Sequence, residues 1–135
     1  MKYMLDTNIC IEIIRKQSPN LVSRLTRLRV GDVGVSTITV AELEHGVAKS
    51  RDPEQNQMAL EQFLLPLAIA DFGYDAAVAY GQIRAHLERR GLAIGAMDLL
   101  IAAHAQSLGV TLVTNNVKEF TRVSQLQIED WLKNR

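Results

Sequence analysis

Tyr3-Met4-Leu5-Asp6-Thr7-Asn8-Ile9 decides the reading of this chain: an apolar run ends on an aspartate, a polar turn follows, and Ile9 and Ile13 then recur at helical spacing. The segment predicts a strand over 2–5, a turn, and a helix through Ile14. Outward from it the same grammar returns. Val33-Gly34-Val35-Ser36 reads as a second buried strand, with Thr37 or Thr39 capping a helix that runs through Ala41, Leu43 and Val47 to about Lys49. Leu67 to Ala70 predicts a third strand. Val110 to Val113 predicts a fourth, giving way to Thr114-Asn115-Asn116 and a short helix from about Lys118, and Leu126 to Ile128 reads as a last edge strand.

Longer helical patterns lie between these strands. Asn20 after Pro19 opens one that carries Leu21, Leu25 and Leu28, and Asp52-Pro53 starts another that continues to about Leu65. Ala76, Tyr80, Ile83 and Leu87 mark one apolar face of a helix over 74–90 that Gly91 stops. Gly95 to Leu108 predicts a helix whose centre, Leu99 to Ala103, is apolar nearly all round, as for an element packed deep in the protein. Short Val-, Ile- and Leu-rich strands alternating with longer helices predict an α/β fold. The expected architecture is a three-layer α/β/α sandwich around a mainly parallel, short-stranded sheet, as a single domain over 1–135.

A chain of 135 residues buries roughly two-thirds of its unfolded surface, and 47% apolar with 22% charged residues excludes intrinsic disorder. The lone Cys10 excludes an internal disulfide, and no Cys/His array has zinc spacing, so Cys10 reads as a small buried hydrophobe. Apolar runs such as Leu99 to Ala103 are far too short to cross a bilayer, and the N-terminus lacks a stretch of signal-peptide length. The expectation is a cytoplasmic protein with no membrane partner. Fifteen basic residues balance fifteen acidic ones, so no global positive field draws in nucleic acid and any phosphate contact must be local. Arg84, Arg89 and Lys118 are the candidate phosphate contacts, in short basic clusters that otherwise serve as solvated helix faces.

In parallel α/β folds, ligands gather beyond the carboxyl ends of the strands. Asp6 falls there, where it also suits the orphan N–H groups of a helix start. Asp98 lies in the first turn of the apolar helix, where a carboxylate is costly unless paired. Glu42 sits among small and apolar neighbours, while Glu44 can serve as the solvated charge of that helix. Three acids near one rim raise one another's pKa unless a cation favours their charged forms. Oxygen donors without thiolates or paired imidazoles select Mg2+, with Mn2+ as a possible substitute. Glu42 and His45 form an E-x-x-H pair, but a second such pair is absent, and His45, His86 and His104 read as structural.

Four segments together carry a family resemblance: Met4 to Asn8; Ser36-Thr37-Ile38-Thr39-Val40-Ala41-Glu42; Gly95-Ala96-Met97-Asp98; and Val113 to Phe120. In order and spacing they resemble a PIN domain. More closely, the chain from Lys2 to about Trp131 is similar to the VapC-type toxin ribonucleases of bacterial toxin–antitoxin pairs. The resemblance implies a parallel α/β/α fold and an acidic pocket in which Asp6, Glu42 and Asp98 are magnesium-binding or catalytic acids. Where many members carry a fourth acid, this chain has Asn116 as the corresponding catalytic position, with Glu119 as a possible substitute and Thr114 and Asn8 as further ligands or orienting groups. It also implies endonucleolytic cleavage of RNA such as tRNA, a VapB-like antitoxin partner, contact with operator DNA only through that antitoxin, and a homodimer. Two alternatives stand beside it. One is a PIN-like RNA-binding module degenerate at Asn116. The other is a phosphoaspartyl protein of receiver or dehalogenase type, loosely echoed by Asp6, Thr114 and Lys118 but opposed by Asn8.

Overall fold

A five-stranded parallel sheet in the order β3-β2-β1-β4-β5 organises the computed structural model, which describes residues 1–16 and 18–132. The strands are β1 (Tyr3–Leu5), β2 (Val33–Ser36), β3 (Ala68–Ala70), β4 (Thr111–Val113) and β5 (Ile128–Glu129), and every neighbouring pair runs parallel. The helices are α1 (Thr7–Arg15), α2 (Pro19–Thr26), α3 (Thr37–Ala48), α4 (Pro53–Leu64), α5 (Tyr74–Arg89), α6 (Ala96–Leu108) and α7 (Val117–Phe120).

The sequence signals act as expected at most ends. Ser18 and Asp52 cap α2 and α4 ahead of a proline in the first turn, and α6 stops at Gly109, whose φ of 66° suits a residue without a Cβ. Three local expectations are corrected. The cap of α3 is Ser36 rather than Thr37 or Thr39: its Oγ accepts the Ile38 N–H at 3.0 Å. Thr37 instead accepts the Phe72 N–H at 3.2 Å, and Thr39 turns its buried side chain toward Thr7. The last strand is Ile128–Glu129, one step later than the apolar pattern indicated, and Leu28 lies beyond the end of α2.

Alternation along the strands sorts the core onto two faces. Met4 and Leu112 face one way, into a cluster with Ile83 and Leu87 of α5, Leu99 to Ala105 of α6, and Phe120. Leu5, Val33, Val35 and Val113 face the other way, onto Ile9, Leu21, Leu43, Leu60 and Trp131. Helices thus cover both faces, giving the three layers. β2 and β3 approach closely at Gly34, where a Cβ would stand 2.5 Å from the Ala68 carbonyl oxygen, so only glycine fits. From β1 the chain builds outward to β2 and β3 on one side and to β4 and β5 on the other. The switch point of the sheet therefore lies between β1 and β4, the place where such folds open a crevice. No helix among the described residues is long and apolar enough to cross a membrane.

Candidate active site

Asp6 leaves β1 at that switch point. Its N–H donates to the Val113 carbonyl at 3.0 Å, and its Oδ1 accepts the Ile9 N–H at 2.9 Å as the cap of α1. The residue is 3% exposed. Burial raises its carboxyl above the ordinary aspartate value, and the charges of Glu42 and Asp130 push the same way, whereas the Thr114 hydroxyl and the Ile9 N–H favour the ionised form. Thr114, fully buried at the end of β4, also accepts the Asn116 N–H at 3.0 Å and so shapes the turn into α7.

Asp98 stands in the first turn of α6, which begins at Gly95 with no side-chain cap. Its carboxyl is pushed up to about 6, first by burial and then by the charges of Glu119, Asp6 and Glu42. Glu119 is shifted the other way. It accepts the Gly95 N–H at 2.8 Å and the Asn116 Nδ2–H at 3.1 Å, bonds that hold it below the usual glutamate range. Burial and neighbouring charge raise Asp98 while these bonds lower Glu119, so of the two Asp98 takes up a proton first as pH falls. Glu42, half-buried on α3, accepts from the Thr7 hydroxyl at 2.5 Å, and the Thr39 hydroxyl lies 3.4 Å from that of Thr7.

Asp6, Glu42 and Asp98, predicted from the sequence, thus fall within reach of one another's charge, and Glu119 joins them. Asn116 holds Glu119 rather than offering its own oxygen to the acids. Asn8 is exposed beside them. Lys118 and Arg89 are exposed, and Arg84 is committed on its own helix to Glu88 at 3.3 Å and the Tyr80 hydroxyl at 3.0 Å. Three participants were not singled out in advance. Thr7 has no signal beyond following Asp6, Thr39 was read only as a cap, and Asp130 reaches the rim only because β5 ends at Glu129.

All four acids offer hard oxygen donors, and among the described residues none of them forms an ion pair with a basic side chain. The Asp98 carboxyl is raised to about 6 by burial and by its acidic neighbours, a shift that positive charge would offset. Both observations fit a divalent cation of the magnesium or manganese kind. Among the described residues no three acids or histidines close into a ready-made metal cage.

Beside Glu42 opens a groove between α1, α3 and α4. It is floored by Ile11, Ile14, Leu43, Val47 and Leu60, edged by Arg15 and Lys49, and bounded toward the acids by Thr7, Asn8 and Met97.

The PIN domain family matches residues 3–126 of this sequence. With its parallel sheet and acids at the switch point, the chain belongs to that family, whose ribonucleases are metal-dependent in general. It is 47% identical over 134 residues to ribonuclease VapC2 of Rickettsia felis, covering 98% of this chain and 100% of the relative. It is 44% identical over 131 residues to the tRNA(fMet)-specific endonuclease VapC of Shigella flexneri, covering 97% and 98%. A crystal structure of VapBC2 from Rickettsia felis bound to a DNA fragment from their promoter superposes with a TM-score of 0.92 at 46% identity, over 97% of this chain and 99% of that one. At these identities over nearly its whole length the chain belongs, within the PIN domain family, to the VapC family, which sets the phosphoaspartyl alternative aside.

Proposed function

We propose that this protein is the toxin of a toxin–antitoxin pair, an endoribonuclease that hydrolyses RNA phosphodiesters with Mg2+, or Mn2+ in its place. The observation that carries the reading is a cluster of carboxylates in which Asp98 feels the charges of Glu119, Asp6 and Glu42, with no basic side chain ion-paired to any of the four among the described residues. Asp6, Glu42 and Asp98 would hold the cation. Glu119 completes the set in place of Asn116, whose amide steers it. When bound, the cation supplies positive charge to the phosphate oxygens and lowers the pKa of water. The residues do the rest: the Thr114 hydroxyl steadies Asp6, the Thr7 hydroxyl donates to Glu42 and holds it in place, and Asp98 offers a carboxyl whose ionised form positive charge would favour. Water rather than the ribose 2′-hydroxyl attacks, leaving 5′-phosphate and 3′-hydroxyl ends.

Transfer RNA is the proposed substrate, with tRNA(fMet) first, from the name of the Shigella relative. The apolar groove beside Glu42 suits an amphipathic segment of a VapB-like antitoxin, which would cover the acids and carry any contact with operator DNA. We place the protein in the cytoplasm as a homodimer. Lys118 remains the basic residue nearest the acids in sequence, one position before Glu119, and is the first candidate for a phosphate contact.

The test is incubation of purified, antitoxin-free protein with total bacterial RNA in Mg2+ or EDTA, beside Asp98→Ala, with sequencing of new 5′ ends. Discrete magnesium-dependent cuts that the variant lacks are expected. Cuts that persist in the variant, or 2′,3′-cyclic phosphate ends, overturn the mechanism. Tight RNA binding without cleavage points instead to the degenerate binding module.

A further inference from the structure

His104 is the one histidine in the core, 1% exposed in the middle of the most apolar helix of the molecule. A polar ring there is costly unless it is bonded. Its Nδ1 lies 2.7 Å from Ser36 Oγ, its ring meets Phe72 edge-on at 5.4 Å, and it bonds the backbone at Asp71. Burial lowers its pKa. Nδ1 and the Ser36 hydroxyl share a hydrogen bond, while the same oxygen accepts the Ile38 N–H that caps α3. Phe72 closes the knot by donating its N–H to Thr37 Oγ1. Three segments therefore meet on one ring: the β2–α3 junction, the β3–α5 connection and α6.

The place of this knot matters. Ser36 precedes Glu42 by six residues and His104 follows Asp98 by six, so the knot sits about 9 Å along each helix axis from its acid. It pins the two acid-bearing helices to each other at matched depth. We propose that His104 is a positioning residue for the reaction: its bond to Ser36 fixes the spacing of α3 and α6, and hence the separation of the Glu42 and Asp98 carboxylates across which a cation and a phosphate must fit. This rests on the metal-dependent nuclease reading above.

The experiment compares wild type, His104→Phe, His104→Asn and Ser36→Ala for Mn2+ affinity by calorimetry in the absence of RNA, and for kcat and KM on tRNA. Phenylalanine keeps the ring packing and removes the nitrogen, asparagine restores an acceptor near Nδ1, and Ser36→Ala removes the same bond from the other side should His104→Phe fail to fold. Leu87→Ala, a core change on α5 that leaves the His104–Ser36 hydrogen bond in place, serves as a control for lost core packing. His104→Phe and Ser36→Ala are expected to weaken Mn2+ binding and lower kcat by roughly tenfold or more. KM should stay within about threefold, His104→Asn should recover most of the loss, and Leu87→Ala should bind Mn2+ as wild type does. Folded His104→Phe or Ser36→Ala protein with wild-type Mn2+ affinity and kcat overturns the proposal, as does an equal loss in Leu87→Ala. Failure of the wild type itself to bind Mn2+ or cut tRNA overturns the underlying nuclease reading instead, so the two failures are distinguishable.

Discussion

Two aspartates stand at helix starts on this rim, and their surroundings differ. Asp6 is buried, yet it is fully engaged: the Ile9 N–H and the Thr114 hydroxyl stabilise its charge, so it serves the fold whether or not a cation is bound. Asp98 lies in the first turn of a helix with no side-chain cap, and the strongest charge acting on its carboxyl is that of another carboxylate, Glu119. Both carboxyls are raised, but Asp98, with no comparable donors to offset its burial and its acidic neighbours, is the one that positive charge would relieve more. A carboxylate at a helix N-terminus is ambiguous by itself, and the donors around it decide whether structure already accounts for it.

The largest expected effect breaks the comparison deliberately. Asp6→Asn and Asp98→Asn should each abolish tRNA cleavage, beyond the roughly 100-fold at the top of the range for groups that only orient a metal ligand. An active Asp98→Asn enzyme would show that the uncapped aspartate is not part of the chemistry. Next, Thr7→Val removes the hydroxyl that holds Glu42 and should weaken Mn2+ binding by roughly tenfold in a calorimetric titration. Unchanged affinity would confine Thr7 to packing.

The pH dependence sharpens the contrast further. The Asp98 pKa is raised to about 6 in the metal-free fold, so its contribution to stability is present at low pH and is lost as pH rises through about 6. Cation binding must expel that proton. Mn2+ affinity should therefore fall several-fold from pH 7 to pH 5, and Asp98→Asn should remove that part of the dependence. His104 has the opposite sign: burial lowers its pKa, so its contribution is complete above its ordinary value of 6.5 and is lost as pH falls below it. Metal-free denaturation curves of Asp98→Asn and His104→Phe should accordingly lose slopes of opposite direction.

Smaller again is the effect on stability. Asp6→Ala should cost about 1 kcal/mol in urea through the lost cap, whereas Asp6→Asn, an equally good cap, should cost little and Asp98→Ala should cost nothing or stabilise. The smallest expected effect concerns the basic residues. Arg84→Ala should leave the salt dependence of tRNA binding unchanged because its guanidinium already serves Glu88 and Tyr80, and a flattened slope would return Arg84 to the RNA contacts.

Most of the fold was legible because it is written in local terms. Apolar runs ending on Asp6, Ser36 and Thr114 announced strand ends, and spacings such as Ala76, Tyr80, Ile83 and Leu87 announced helices. Asp6, Glu42 and Asp98 were also legible as candidates, Asp6 from its place beyond a strand end and Glu42 and Asp98 from small or apolar surroundings that disfavour an idle charge. Errors fell where two local signals competed. Ser36, Thr37 and Thr39 are all competent caps, and the choice of Ser36 follows from Thr37 being drawn to Phe72 and Thr39 to Thr7, contacts with segments distant in the chain.

The sequence by itself determined the element order, the parallel α/β class and three of the acids, because periodicity, caps and the cost of a buried carboxylate act over a few neighbouring residues. Only the tertiary structure decided that Glu119 rather than Asn116 faces Asp98, that Thr7 serves Glu42, and that His104 ties α6 to Ser36. These depend on which side chains from separate elements share a few ångströms at the rim. Hydrogen bonding and charge act through space, and spacing along the chain carries no record of that distance.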